Sequence, residues 1–215
     1  MPNILILGYS GEGDTDRRFL GPLIQRTFED LLFTASGQID CLPPVWLGEA
    51  KSKDIAKAAL EAGKDKLMLY CAHVDEDGKG HQRTVELQLK PALDLLEVGG
   101  GNYPPVIPIM PKEETESWLL ADTDTLRGTL NTQLTASQLG LQGNPESYTD
   151  PKQKLIDVIR IVNAEPARYI KVEKGTLYAP MGADCSLAEL RKLASFSRFE
   201  AAARAGLVEI GYLQV

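Results

Sequence analysis

The stretch Asn3-Ile4-Leu5-Ile6-Leu7-Gly8, continued by Tyr9-Ser10-Gly11-Glu12-Gly13-Asp14-Thr15-Asp16, sets an unbroken apolar run directly before a glycine-rich acidic turn. A short run without polar alternation predicts a strand over 3–8 buried on both faces, and hence a sheet covered by helices on both sides. After the turn, Phe19, Leu20, Leu23, Ile24, Phe28, Leu31 and Leu32 recur at helical spacing and predict a helix over 16–33. Asp14 or Thr15 is its expected N-cap, and Pro22 is expected to shift its start or bend it.

Working outward, the same alternation repeats. A strand is expected over 39–47, weakened by Pro43 and Pro44, then a helix over 54–62 and a clear buried strand over 66–73. A helix over 82–96 with a break or kink near Pro91 leads to the Gly99-Gly100-Gly101 turn, a strand over 106–110 and a helix over 113–121. Such alternation predicts an α/β fold with a mainly parallel central sheet, right-handed crossovers and helices on both faces, with chemistry at the carboxyl ends of the strands. From residue 131 the pattern turns to polar loops and helices over 152–162 and 187–205. Residues 1–130 therefore read as the α/β core and 131–215 as a mostly helical C-terminal part packed on it as one unit.

The chain has 215 residues, 43% hydrophobic and 25% charged, which excludes disordered, collagen-like and coiled-coil classes. The apolar run at the N-terminus is too short for a signal segment or a membrane span, so a cytoplasmic protein with no membrane partner is expected. Cys41, Cys71 and Cys185 are odd in number and unpaired by spacing, which argues against a disulfide framework or a zinc site. The net charge of −7 divides into 13 basic and 23 acidic residues over 1–150, and 10 basic and 7 acidic over 151–215. An acidic protein gains little from counterion release, so a nucleic-acid substrate would have to be held by the basic C-terminal part, a metal ion or a partner.

Three acidic motifs follow three predicted strands. Glu12 lies between two glycines on the first turn. Asp75 and Asp77 stand two apart after the strand over 66–73, a spacing that turns both to one side of an extended chain. Glu113 and Glu116 are expected on one face of the helix over 113–121 near its start. Each motif has an ordinary alternative, as a capping turn, an acidic turn or acids attracted by a helix dipole. Gathered in one place they repel unless cations neutralise them, and oxygen donors select Mg²⁺ or Mn²⁺, whose chemistry fits phosphodiester hydrolysis.

Glu12-Gly13-Asp14-Thr15-Asp16 before a helix, with Asp75-Glu76-Asp77-Gly78 after a hydrophobic strand, resembles the Toprim domain of topoisomerases, primases and overcoming-lysogenization-defect nucleases. The run from Ile107 to Asp122, with Glu116-Ser117-Trp118-Leu119-Leu120-Ala121-Asp122 at its end, is similar to the DUF4276 family of Toprim-like proteins. So are Asn144-Pro145-Glu146, Asp150-Pro151-Lys152, Tyr169-Ile170-Lys171 and Ser195-Phe196-Ser197-Arg198-Phe199. The resemblance covers most of the chain. It implies a Toprim-like core with Glu12 as general acid or base, Asp75 and Asp77 as metal ligands, and Glu116 completing the site. It also implies an ATPase partner in a bacterial phage-defence system. Asp16, Glu113, Glu114 and Asp122 are left as substitutes or supporting residues.

His73 and His81 flank the Asp75–Asp77 turn and can act as base or phosphate contact, but a partly buried His73 with an ordinary hydrogen bond is the expectation. Lys79 and Lys112 read as solvated loop lysines, and Trp118, Phe196 and Phe199 as core. Lys152, Lys154, Arg160, Arg168, Lys171, Arg191, Lys192, Arg198 and Arg204 are candidates for a basic track along a phosphate backbone. No P-loop pattern is present, so any ATP-driven step belongs to a partner. Three functions remain open: a metal-dependent nuclease acting on DNA or RNA, a non-catalytic Toprim-like regulatory or binding subunit, and a metal-dependent phosphatase on a small nucleotide.

Overall fold

In the computed structural model, which describes residues 4–33, 35, 38–166 and 168–214, the first apolar run forms two strands, β1 (Ile4–Leu5) and β2 (Leu7–Gly11). Asn3, where the expected strand starts, lies outside the described residues, and the strand continues to Gly11 instead of ending at Gly8. The second expected strand is likewise split, into β3 (Asp40–Cys41) and β4 (Val45–Glu49). Pro43 and Pro44 have no N–H to give to the ladder, so β1 pairs β3 as a separate two-stranded piece before β2 pairs β4.

β5 (Leu69–His73) and β6 (Val106–Ile109) complete a four-stranded parallel sheet in the order β4-β2-β5-β6. The chain leaves β2 toward β4 on one side and leaves β5 toward β6 on the other. The β2/β5 boundary is therefore the switch point, where the crossovers diverge and leave a crevice at the carboxyl ends. A register shift in the β2–β4 pairing between Tyr9 and Gly11 bends the strand at that end.

One face of the sheet is covered by α1 (Asp14–Leu32), which buries Phe19, Leu20, Leu23, Ile24, Phe28 and Leu31. Pro22 lies inside this helix without ending it. The other face takes α2 (Ile55–Lys64) and the helical segment formed by α3 (His81–Thr84), a π-helical turn over Val85–Leu89 and α4 (Lys90–Gly99). The kink expected at Pro91 is thus a wide π turn that absorbs the missing donor and the bulk of the ring.

The expected helix over 113–121 is shorter, α5 (Glu116–Leu119), and α6 (Thr123–Thr129) follows it. In the last third, α7 (Pro151–Asn163) is joined by α8 (Tyr178–Asp184), α9 (Leu187–Leu190) and α10 (Ala194–Glu209). α8 packs along α1 and α10 lies on β6. The α1–α8 approach is close enough that a Cβ at Gly182 would stand 2.2 Å from the Phe19 carbonyl oxygen. Leu155, Val158, Met181, Phe196 and Phe199 join Phe19, Leu69 and Ile107 in one apolar cluster, so the C-terminal helices finish the core on the α1 face. Each such side chain contributes about 1.5–3 kcal/mol by leaving water. Among the described residues no helix is long and apolar enough to cross a membrane.

Candidate active site

The β2 exit carries Glu12 into the switch-point crevice. Gly11 is required there by close approach, since a Cβ would lie 2.7 Å from Asp16 Cβ. α1 begins at Asp14 with Gly13 as its N-cap and no side-chain cap, so neither Asp14 nor Thr15 has the expected role. Asp16 instead accepts a hydrogen bond from the Glu12 backbone N–H at 2.9 Å and fixes the turn. Glu12 itself reaches solvent. Partial burial of its carboxyl, and next the Asp75 charge, hold it above the ordinary glutamate range, with Asp77 and Asp16 adding to the rise against the lowering by His73.

β5 ends at His73, so Asp75 and Asp77 stand in the turn beyond the strand, not on extended chain as the spacing suggested. Asp77 adopts φ +47 and Gly78 φ +68, a left-handed bend that aspartate tolerates better than most residues. Both acids still act on Glu12. Asp77 pairs with Lys79 at 3.0 Å.

His73 is fully buried, not partly as expected. Its Nε2 lies 2.9 Å from Thr115 Oγ1 and 3.1 Å from Asp75 Oδ1, and its Nδ1 lies 3.8 Å from Asp16 Oδ2. Thr115 donates to Asp16 Oδ1 at 3.0 Å, so His73 Nε2–H donates to Thr115 in turn. This relay from His73 through Thr115 and Asp16 to the Glu12 amide ties β5, the loop after β6 and the β2 exit together. Burial disfavours the imidazolium, but Asp75, Asp16 and Glu12 outweigh it and push His73 up to about 9. Burial also raises the Asp75 carboxyl, and the His73 charge opposes that rise. Asp75 Oδ1 is buried and has no aligned hydrogen-bond donor.

The third arm differs from its expected form. Glu113 has φ +62 and precedes the helix, so Glu113 and Glu116 do not share a helical face. Glu116 is buried and accepts from the Tyr178 hydroxyl at 2.5 Å, with Lys174 Nζ at 3.4 Å, so its charge is matched from the C-terminal part. Glu114 is the acid of this arm with a buried, unpartnered oxygen. Its carboxyl is held up by burial, then by Glu116 and, after a lowering by Lys152, by Asp75.

Several singled-out residues have structural roles. Asp122 caps α6 by accepting from Thr125 N and also accepts from Ser186 N. Against the cost of burial, a hydrogen bond from the Thr125 hydroxyl at 2.6 Å and then these backbone bonds hold its carboxyl below the usual range. Glu146 accepts from Ala194 and Ser195 N–H at the start of α10, and Asp150 caps α7. Trp118 is in the core with Phe196 and Phe199, its indole N–H donating to Ser195 Oγ at 2.6 Å.

The basic candidates are mostly paired. Arg168 donates to the Leu130 and Asn131 carbonyls, and Lys171 to Asn163 O. Lys152, Arg160, Arg191, Lys192 and Arg198 contact carboxylates, and Lys154 lies over the Tyr148 ring.

Among the described residues no three His, Cys, Asp or Glu side chains form a ready-made metal cage. Mg²⁺ does not require one, because it keeps several waters and binds through one or two carboxylates together with substrate phosphate oxygens. The donor set of Glu12, Asp75 and Asp77 is all oxygen and mutually repelling, the donor chemistry such an ion takes, with His73 as the one cation among the described residues that already faces Asp75, at 3.1 Å. Comparison of the chain with protein-family models, curated proteins and solved structures returned no match.

Proposed function

We propose that this chain is a cytoplasmic Mg²⁺- or Mn²⁺-dependent phosphodiesterase of the Toprim type, allied to the DUF4276 family, acting on nucleic acid as the nuclease subunit beside an ATPase partner. The observation that carries this reading is the gathering of Glu12, Asp75 and Asp77 at the β2/β5 switch point, close enough for Asp75 and Asp77 to raise the Glu12 carboxyl, with the buried Asp75 Oδ1 facing the His73 imidazole at 3.1 Å but taking no aligned hydrogen bond. A bound divalent ion supplies charge stabilisation at a phosphoryl oxygen and a more acidic attacking water. Asp75 and Asp77 are the residues to hold it. Glu12, solvent-accessible with a raised carboxyl, takes or returns the proton. Lys79, Lys152 and Lys174 each pair with a carboxylate of this region, and their remaining donors can face phosphate. A surface hollow of about 490 Å³, lined by Lys79, His81, Arg83 and Glu86, adjoins the Asp77 turn and leaves room for substrate.

One observation favours a second reading, a phosphatase acting on a small nucleotide. Among the described residues, every basic candidate of the C-terminal part except Arg204 has an intramolecular partner, which leaves little free charge for a long phosphate backbone.

The test is incubation of the purified protein with plasmid, linear DNA, RNA and nucleoside phosphates under Mg²⁺, Mn²⁺ or EDTA, beside Glu12→Gln. Metal-dependent cleavage of a polymer that Glu12→Gln abolishes is the expected result. The variant should fold with stability equal to the wild type or higher by less than about 1 kcal/mol, since the repulsion relieved at the exposed Glu12 is partly cancelled by the lost attraction to His73. Turnover of nucleotides alone selects the second reading. Activity unaffected by EDTA or by Glu12→Gln refutes both.

A further inference from the structure

We infer that Glu76 and Arg198 form a clasp that positions the Asp75–Asp77 turn, which makes Arg198, on the C-terminal helix α10, a positioning residue for the carboxylate site. This rests on the metal reading of Asp75 and Asp77 given above.

Glu76 stands between the two candidate ligands yet points away from them, with 3% of its surface exposed. A carboxylate is buried only when partnered, and its partner here is Arg198, whose Nη2 donates to Glu76 Oε1 at 2.8 Å. His81 Nδ1 lies 3.4 Å from the same oxygen. The Glu76 main chain is held as well: its N–H donates to Pro111 O, and its carbonyl accepts from Lys79 N at 2.9 Å and from Thr84 Oγ1. The Asp77 N–H donates to Glu113 O at 3.3 Å.

The loop after β6, the start of α3 and α10 thus converge on one residue inside the metal turn. That support favours the left-handed backbone of Asp77 at φ +47, which costs a non-glycine residue free energy even though aspartate tolerates it better than most. Arg198 is 38% exposed, so its loss opens no core cavity. Its contribution passes through Glu76 to the geometry of Asp75 and Asp77, in the way that residues behind metal ligands orient them.

The sign of the effect separates positioning from mere charge. A guanidinium near a divalent site repels the ion, so if Arg198 acts only as a charge, Arg198→Met tightens metal binding. If it holds the turn, the same change weakens binding. The experiment pairs two measurements on full-length wild type, Arg198→Met, Arg198→Lys and the control Arg204→Met. One is amide hydrogen exchange in EDTA; the other is calorimetric titration with Mn²⁺.

The expected result for Arg198→Met is exchange faster by about ten-fold or more at the Glu76, Asp77 and Lys79 amides. Its Mn²⁺ affinity should fall about 10–100-fold. Arg198→Lys should lie between, because it keeps the charge and one contact, and Arg204→Met should match the wild type. Unchanged exchange at those amides, or Mn²⁺ affinity unchanged or tighter in Arg198→Met, overturns the positioning role. Wild-type protein that binds no Mn²⁺ refutes the metal reading itself, and the exchange rates then decide alone whether the clasp holds the turn.

Discussion

Replacing Asp75 with Asn tests the electrostatic design of the crevice through stability alone, without any assumed substrate. In the metal-free protein the buried His73 ring is protonated at neutral pH because Asp75, Asp16 and Glu12 surround it, with Asp75 nearest at 3.1 Å. The folded-state pKa of about 9 lies above the unfolded value of 6.5. The stability this contributes is therefore fully present below pH 6.5 and lost as pH rises to about 9. The cost of removing Asp75 has a ceiling, because an imidazolium that loses its partner can release its proton. At about 1.4 kcal/mol per pH unit, deprotonation at pH 7 caps the loss at roughly 3 kcal/mol. Relief of the buried Asp75 carboxylate, itself disfavoured by desolvation, offsets part of that. Asp75→Asn is thus expected to be less stable than wild type by about 1–2 kcal/mol at pH 6.5. At pH 9 it should be equal or more stable, with a flatter dependence between. Urea denaturation in EDTA at both pH values reads this directly. A variant more stable than wild type at pH 6.5, or a difference that does not change with pH, would refute protonation of His73 by this carboxylate cluster.

Two further substitutions probe the scaffold. Glu146→Ala removes the acceptor of the Ala194 and Ser195 N–H groups at the start of α10 and should cost about 2–3 kcal/mol in chemical denaturation, whereas an unchanged midpoint would mean that water takes over both bonds. Gly182→Ala forces a methyl onto the Phe19 carbonyl across the α1–α8 contact and should lower stability by at least about 1–3 kcal/mol, seen as a fall in Tm; a Tm equal to wild type would show that the helices separate freely.

Much of the candidate site is legible in the chain because glycines and acids directly follow apolar runs, and those runs become parallel strands ending at one edge. Glu12 and Asp75 are recognisable in this way. Glu114 is not distinguishable from Glu113 and Glu116 by spacing, because the left-handed turn at Glu113 removes the helical register on which such a comparison depends. Thr115, which completes the relay between His73 and Asp16, carries no signal in its own segment. Glu76 looks like a third solvent acid in an acidic turn, and only Arg198, more than a hundred residues away, makes its burial tolerable.

The sequence by itself determined the α/β class, the order of strands and helices and the placement of acids at strand ends, because hydrophobic period and glycine-rich turns report local conformation and which face is buried. Tertiary structure alone decided the strand order that puts β2 beside β5, the π-helical form of the break expected near Pro91, and the use of α8 and α10 to finish the core. It also decided which acids face one another, which are matched by cations and which keep an unsatisfied oxygen. Those outcomes depend on through-space packing and desolvation between segments far apart in the chain, for which local periodicity holds no information.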